Sequence, residues 1–559
     1  MTGARGAFFR PADGNFSAGG LRRLRGRISS EAMVWSAFDE ASRAYPVHDF
    51  LHVPALADES GPTRLTYRQA RDLVEQLAER LAGAGFEPGR RVALVLDNRA
   101  EFFLHFLALN RIGCSIVPIN SAMSRTELAY VLAHADLAAA IALTQHSDAI
   151  GAALPAHVPL MVVRSDGGSY SKPGGGATAV PREVAMLYTS GTTGTPKGCI
   201  LTDHYFEQIG ALYTGLGGYC AFRPGQERLI TPLPVTHMNA LGCSFMAMLL
   251  TGGCLIQLDR FHPKTWWAAV RESGATCFHY LGVMPAMLLG APPSPEDDMS
   301  AVLRFGFGAG VDPRHHATFE KRFGVPLIEA WAMTETGGGA WFTANKEPRH
   351  VGQRCFGRAP EGVTWRVVAD NGADAGCNET GELLLRRTGA DARYGFFAGY
   401  YKDDVATAAA WAGGWFHTGD LVRVDEAGSF FFVDRSKNII RRSGENIAAI
   451  EVESALLRHP YVKACAVTAV PDETRGEEVF AFIVVADGVA PDVATAELLR
   501  RACAEALIYF KAPGYVRFLT HLPQTASQKL ARGELKRAAA QCVSASEAFD
   551  LRMAKRRCG

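Results

Sequence analysis

The sequence predicts an α/β protein: a large N-terminal domain of parallel-rich sheets covered by helices and carrying a β-rich subdomain, then a small α+β domain at the C-terminus. Three observations support this. Strand-like and helix-like segments alternate through the first half of the chain, the rhythm of βαβ units. From Val351 to Val433 the pattern turns to short strands punctuated by glycine, such as GVTWRVV and GSFFFV. Beyond Asp434 it changes again, over a stretch long enough for a separate small domain.

The elements follow in order. Tyr67 to Ala84 has apolar residues at helical spacing, Arg91 to Leu96 (RVALVL) reads as a strand, Glu101 to Arg111 as a helix and Cys114 to Ile119 as a strand. Further strands are expected at Ala138–Leu143, Leu160–Val163, Val184–Tyr188, Leu229–Pro232, Cys254–Leu258 and Cys277–Tyr280. Between Asp166 and Ala179 the text DGGSYSKPGGGATA is turn-forming and predicts a flexible connection. In the last part Ile447–Leu457 and Ala494–Ile508 read as helices, with Ala464–Val470 and Val479–Val485 as strands. The expected organisation is a tail over 1–30, a large domain over 31–434 that contains the subdomain 351–433, a boundary segment at 435–437, which the family resemblance given below makes the hinge of a mobile small domain, and that small domain over 438–559.

Composition narrows the class. At roughly 150 residues per domain, 559 residues make three or four folding units. Hydrophobic residues at 48% and charged residues at 21% exclude global disorder. With 58 Lys+Arg against 57 Asp+Glu, no whole-chain field draws the protein to nucleic acid or an acidic membrane, so any polyanion must be held by a local site. The 12 cysteines lie scattered with no C-x-x-C pair, which fits reduced thiols in the cytosol better than a zinc ribbon or a disulfide scaffold. The uncharged run Ala240 to Leu258 is interrupted by Thr251-Gly252-Gly253 and reads as a buried helix turning into a strand, not a membrane span. The first 27 residues carry six arginines against the single Asp13, a bias that an N-terminal tail and a transit peptide share.

The strongest signal is Tyr188-Thr-Ser-Gly-Thr-Thr-Gly-Thr-Pro-Lys-Gly198, which follows the strand VAMLY. Gly191, Gly194 and Gly198 permit close backbone approach, Ser190, Thr192 and Thr193 supply hydroxyl donors, and Lys197 supplies a cation, the chemistry of a phosphate cradle. It is not a Walker A loop, because Pro196 precedes the lysine and Gly198 follows it. A second block, Trp331-Ala-Met-Thr-Glu335, ends the apolar run Val325–Ala330 and so puts Thr334 and Glu335 at a strand end.

The loop resembles the T-S-G-T-T-G-x-P-K-G element of the adenylate-forming superfamily, which includes acyl-CoA synthetases, firefly-luciferase-like enzymes and peptide-synthetase adenylation domains. The resemblance runs from about Phe38 to Lys536, through LDNRAEFFLHFLALNRIG, WAMTE, Trp415-Phe-His-Thr-Gly-Asp420, Asp434-Arg-Ser-Lys437 and Ser443-Gly-Glu-Asn-Ile447. It implies a two-step reaction: a carboxylate attacks the α-phosphate of ATP, and a thiol then displaces AMP from the acyl-adenylate. It further implies roles. Thr189, Ser190, Gly191, Thr192, Thr193, Gly194 and Lys197 would hold the β- and γ-phosphates, Thr334 the α-phosphate, and Glu335 a Mg2+ ion. Trp331 would stack on adenine against Gly308-Ala309-Gly310, Asp420 and Arg435 would hold the ribose, His237 would lie beside the acyl carboxylate, and Lys437 would be the hinge. Lys529 resembles the lysine of the family's C-terminal block, with Gln528 where the family usually has glycine; Ala332 likewise replaces a usual glycine.

Within the family, RRSGENIAAIEVE and the chain length resemble CoA ligases, nearest those acting on carnitine, betaine and short- to medium-chain acids. The implied substrates are therefore a small carboxylic acid, ATP with Mg2+, and coenzyme A. The alternatives are an enzyme loading a carrier-protein thiol and a decayed nucleotide-binding protein. If Lys529 neutralises charge where carboxylate meets phosphate, Lys529→Ala costs roughly 3 to 4 kcal/mol, ~100- to 1000-fold, in acyl-adenylate formation. Thioester formation from preformed adenylate is expected to survive, and rapid-quench measurement of each half-reaction checks this; equal loss in both would defeat the assignment.

Overall fold

The computed structural model describes residues 33–54, 63–163, 170–176, 179–189, 196–435, 438–442, 445–473, 475–507, 509–524 and 530–555. Among them, three sheets organise the chain. The strands Arg91–Val95, Ser115–Pro118, Ala139–Leu143, Leu160–Val163 and Glu183–Thr189 pair in parallel, and the antiparallel strand Lys197–Thr202 extends their sheet. Arg91–Val95 and Ala139–Leu143 are buried at every residue, which is why they read as unbroken apolar runs: helices cover both faces of a parallel sheet. The helices between them start where local chemistry satisfies their free N–H groups. Thr66 with Gln69 forms a capping box at Tyr67–Gly83, and Ser124 with Glu127 forms one at Arg125–His134.

A second, larger sheet has a parallel centre formed by Asp49–Val53, Cys254–Gln257, Arg228–Thr231, Cys277–Leu281, Phe305–Ala309 and Leu327–Trp331. From Leu327–Trp331 onward it continues antiparallel through Phe342–Thr343, Cys355–Arg358, Ser429–Arg435, Phe416–Val424, Gly381–Arg387 and Val363–Val368. The strands of the 351–433 stretch are thus not detached; they prolong the large sheet. They also curl it. Leu327–Trp331 and Phe416–Val424 are four places apart, about 19 Å in a flat sheet. Yet Trp331 Nε1 donates to Asp420 Oδ2 at 2.9 Å. Phe342, Phe356 and Phe430 fill the inside of the curl, with centroid separations of 5.7, 4.9 and 5.8 Å.

The third sheet, from Ile439 to Asp550, has its own core of Ile440, Ile447, Val452, Leu456, Leu499 and Cys503. Its first two strands correct one expectation. Glu445–Ala448 pairs antiparallel with Ile439–Arg442, and the helix predicted from Ile447 begins at Ala449, because Ile447 faces Ile440 across the hairpin. Asp434 ties this body to the large sheet: it is 2% exposed and accepts from Arg435 N, Asn438 Nδ2 and Ile450 N.

Two further expectations are refined. The Asp166–Ala179 connection has no regular element in its described part, as expected, and its residues 174 and 176 are held by hydrogen bonds. Gly174 N–H donates to Ala138 O at 2.8 Å, Arg90 donates to Gly176 O at 2.6 Å, and a Cβ on Gly174 would collide with the carbonyl of His157. The Ala240–Leu258 run becomes a π-helical turn Asn239–Ser244, the helix Phe245–Thr251 and the strand Cys254–Gln257, with Gly252 at φ +64° closing the helix. No helix among the described residues is long and apolar enough to cross a membrane, and the described cysteines are all free thiols.

One buried ion pair holds the first sheet. Arg91 and Glu183, side chains 0% exposed, meet through two bonds of 2.7 and 2.8 Å, and Ser115 Oγ and Val180 N also donate to the carboxylate. Removing one partner leaves the other charge buried, at a cost of roughly 3 kcal/mol or more. Glu183→Gln is expected to lower the urea midpoint clearly, with partial recovery in the double variant Arg91→Met/Glu183→Leu; an unchanged midpoint for the single variant would refute the structural role.

Candidate functional site

A cavity of about 600 Å3 opens beyond the carboxyl ends of the parallel strands of the large sheet, where ligands gather in open α/β sheets. Strand ends supply Leu281, Gly308, Ala309 and Ala330, and the turn after Trp331 supplies Ala332, Met333, Thr334 and Glu335. The other sheet supplies Thr189 and Lys197. These two face each other as the last pair of the antiparallel hairpin, so the glycine-rich loop between them springs from two strands and not from a strand and a helix. That geometry agrees with rejecting a Walker A loop.

Lys197 is held by Asp403 at 3.3 Å and lies over the Tyr400 ring, 4.9 Å from its centroid. Tyr400 O–H donates at 2.9 Å to Glu335 Oε1, and the Glu335 carbonyl accepts from Phe397 N. Burial and the neighbouring Glu335 push the Tyr400 phenol above its ordinary range, so it remains a donor. Glu335 is 8% exposed and Tyr400 takes one of its oxygens. A hard cation that also binds substrate phosphates asks for one or two carboxylates, so this arrangement suits Mg2+.

Trp331 sits differently from its expected place. Strand residues alternate faces, so Ala330 and Ala332 line the cavity while Trp331 turns the other way, packing edge-on to Phe342 at 5.7 Å. Its indole N–H goes to Asp420, whose other oxygen meets Arg435 Nε at 2.7 Å. Asp420 is 1% exposed and lies behind the wall, while Arg435 lines the cavity. Gly308 and Ala309 are in the wall and Gly310 is not. Gly308 is small for a packing reason as well, since a Cβ there would meet the backbone and ring of Tyr280. Gly310 serves through its backbone, at φ +81°.

His237 lines the cavity, beside the π-helical turn that brings Asn239 and Cys243 to it. Such turns recur at functional sites because the extra residue per turn redirects side chains. The remaining predicted residues, Ser190, Gly191, Thr192, Thr193, Gly194, Lys437 and Lys529, lie outside the described residues.

Three positioning groups went unread. Glu329, 7% exposed, accepts from Gly310 N, Val311 N and Tyr280 O–H and so shapes the 309–311 loop; burial raises its carboxyl above the usual range. A lone acid inside VPLIEAW was the available signal. Tyr400 and Asp403, which support Glu335 and Lys197, carried no local signal.

The feet of the glycine-rich hairpin, the Thr334-Glu335 turn and Arg435, paired with the buried Asp420 behind it, thus converge on one cavity at strand ends. The chain belongs to the AMP-binding enzyme family: the family's model matches residues 38–401, and that of the AMP-binding enzyme C-terminal domain matches 451–529. It is 32% identical to a sulfoacetate–CoA ligase of Cupriavidus necator, over 86% of this chain and 93% of that one. It is 28% identical to a crotonobetaine/carnitine–CoA ligase of Escherichia coli, over 87% and 96%. Among solved structures, the amide bond synthetase McbA of Marinactinospora thermotolerans superposes with a TM-score of 0.75 at 26% identity, covering 90% of this chain and 99% of that one. ATP-bound MatB from Rhodopseudomonas palustris shares the fold, with a TM-score of 0.77 at 23% identity over 91% and 99%.

Proposed function

We propose that the protein is an ATP-dependent acid–CoA ligase working through an acyl-adenylate. The observation that carries this is the convergence on one cavity of the hairpin feet Thr189 and Lys197, the Thr334-Glu335 turn and Arg435 with Asp420 behind it. A carboxylate oxygen attacks the α-phosphorus, the bond to the β-phosphate oxygen breaks, and pyrophosphate leaves. The thiolate of CoA then attacks the acyl carbon and AMP leaves with the bonding electrons. Both reactants of the first step are anions, so the protein's task is chiefly charge neutralisation and alignment.

Lys197 and the loop hydroxyls hold the β- and γ-phosphates, and Thr334 orients the α-phosphate. Glu335, kept in place by Tyr400, holds Mg2+, which neutralises phosphate charge when bound. Asp420 and Arg435 hold the ribose, with the Trp331 N–H fixing Asp420; adenine lies against Gly308 and Ala309 without a stacked indole. His237 lies beside the acyl carboxylate. Lys529 comes from the small domain, which turns about a hinge at Lys437 so that the pantetheine thiol enters after adenylation.

The relatives' named acids differ in charge, one bearing a sulfonate and the other a quaternary ammonium, so relatedness leaves the acid open. ATP–pyrophosphate exchange against a panel of small carboxylic acids is expected to reveal at least one substrate, with Mg2+ required. Adding CoA is then expected to release AMP and a thioester. Exchange with no thioester, but with amide formed on adding amines, would assign the second step to an amine acceptor; no exchange with any acid would overturn the reading. Trp331→Phe removes one hydrogen bond to a charged group, worth roughly 1.5 kcal/mol. The KM for ATP is expected to rise about 10-fold with kcat little changed, and an unchanged KM would show that Asp420 does not depend on the indole.

A further inference from the structure

Behind the acyl side of the cavity lies a buried relay. His279 is 0% exposed; its Nε2 lies 2.6 Å from the Tyr213 hydroxyl, and its Nδ1 lies 2.6 Å from Asn239 Oδ1 and 2.9 Å from Ser244 Oγ. Tyr213 is also 0% exposed, and its hydroxyl has no hydrogen-bond partner other than His279 among the described residues. A buried O–H left undonated is costly, so Tyr213 donates and Nε2 accepts. The ring proton then sits on Nδ1, where Asn239 Oδ1 accepts it; the Ser244 hydroxyl hydrogen goes to the Asn239 carbonyl at 3.2 Å. Burial lowers the His279 pKa to about 3, so the ring stays neutral and the order of donors does not change near neutral pH.

The relay therefore fixes the amide. With Oδ1 committed to His279, Asn239 Nδ2 has no protein partner among the described residues, and Asn239 lines the cavity. Among its neighbours Met238, Cys243, Phe307 and Trp341, the other strong donor is the Trp341 indole N–H, which has no hydrogen-bond partner among the described residues; beyond them stands His237. The cations in the described wall, Lys197 and Arg435, are already paired with Asp403 and Asp420. Tyr213, Phe307 and Trp341 pack at 4.5, 5.2 and 5.3 Å and close this end against a long chain.

We infer that Asn239 is the specificity-determining residue of the acyl site, its Nδ2 donating to an uncharged oxygen on the acyl chain, and that the substrates are short hydroxy or oxo carboxylic acids. Tyr213 and His279 are positioning residues that hold the amide the right way round. This rests on the ligase reading above.

The test compares kcat/KM for 3-hydroxybutanoate and 3-oxobutanoate with that for butanoate and succinate, in pyrophosphate exchange and in thioester formation. The wild type is expected to prefer the hydroxy or oxo acid by at least ~10-fold, because a site built around a buried donor rejects the analogue lacking an acceptor. In Asn239→Leu and in Asn239→Asp the ratio is expected to fall toward one, chiefly through KM, in proteins whose AMP affinity by calorimetry matches wild type. Tyr213→Phe, which frees the ring tautomer and hence the amide, is expected to lower the ratio partly. Turnover of butanoate or succinate at least as efficient as that of the oxygenated acids, or a preference that survives both Asn239 variants, overturns the assignment while leaving the ligase intact. Absence of turnover with every acid overturns the ligase reading and this inference with it.

Discussion

A carboxylate buried to 1% exposure must be answered by donors, and the way Asp420 is answered organises the molecule. One answer, the Trp331 indole, comes from the last parallel strand of the large sheet; the other, Arg435, comes from the strand that leaves for the third sheet. Because the strands bearing Trp331 and Asp420 stand four places apart, the bond at 2.9 Å exists only if the sheet curls back on itself. The curl makes the strand ends concave and turns the Thr334-Glu335 turn, Arg435 and the glycine-bearing strand Phe305–Ala309 toward one cavity. Phe342, Phe356 and Phe430 are the apolar reason that the curl holds, and Asp420, bonded by the Trp331 indole and ion-paired with Arg435, is the polar closure.

Much of the fold was legible because its central strands are buried on both faces and separated by amphipathic helices. RVALVL and the strand at Ala139–Leu143 fell within a residue of their sequence bounds for that reason. The misread element, Ile447 as helix, failed where pairing decides: a four-residue strand at Glu445–Ala448 exists because Ile439–Arg442 lies beside it, and nothing within its own sequence states that. The Asp166–Ala179 connection was read correctly as lacking an element, but its contacts were not legible for the same reason. Its glycines look like slack, yet Gly174 is glycine because the chain lies against the backbone of His157.

The two ends of the cavity differ in legibility for a physical reason. Phosphate and metal chemistry is served by short contiguous blocks, since a turn of a few residues aims several donors at one anion, and such blocks stand out in a sequence. The end proposed for the acyl group is built by single side chains from distant segments, Asn239, His279 and Tyr213, whose meaning is a hydrogen-bond order and not a spacing. Trp331 belongs to both cases. Its block was visible, but which face of the strand it occupies depends on Phe342 and Asp420, and those contacts placed it behind the wall.

The same logic explains why a single peptide bond joins the nucleotide side to the third sheet. Asp434 and Arg435 are neighbours, and consecutive residues of a strand point to opposite faces. Arg435 turns to Asp420 and the cavity; Asp434 turns away and accepts the first N–H groups of the third sheet's body, from Asn438 and from Ile450 at the start of its helix. Both carboxylates are buried, so neither contact can be exchanged for water at low cost. A reorientation of the third sheet about the proposed hinge at Lys437 must therefore break the bond from Ile450 N to the buried Asp434, next to the backbone that aims Arg435. The side of the cavity proposed for the ribose and the third sheet's body thus meet at adjacent residues of one strand, Arg435 and Asp434.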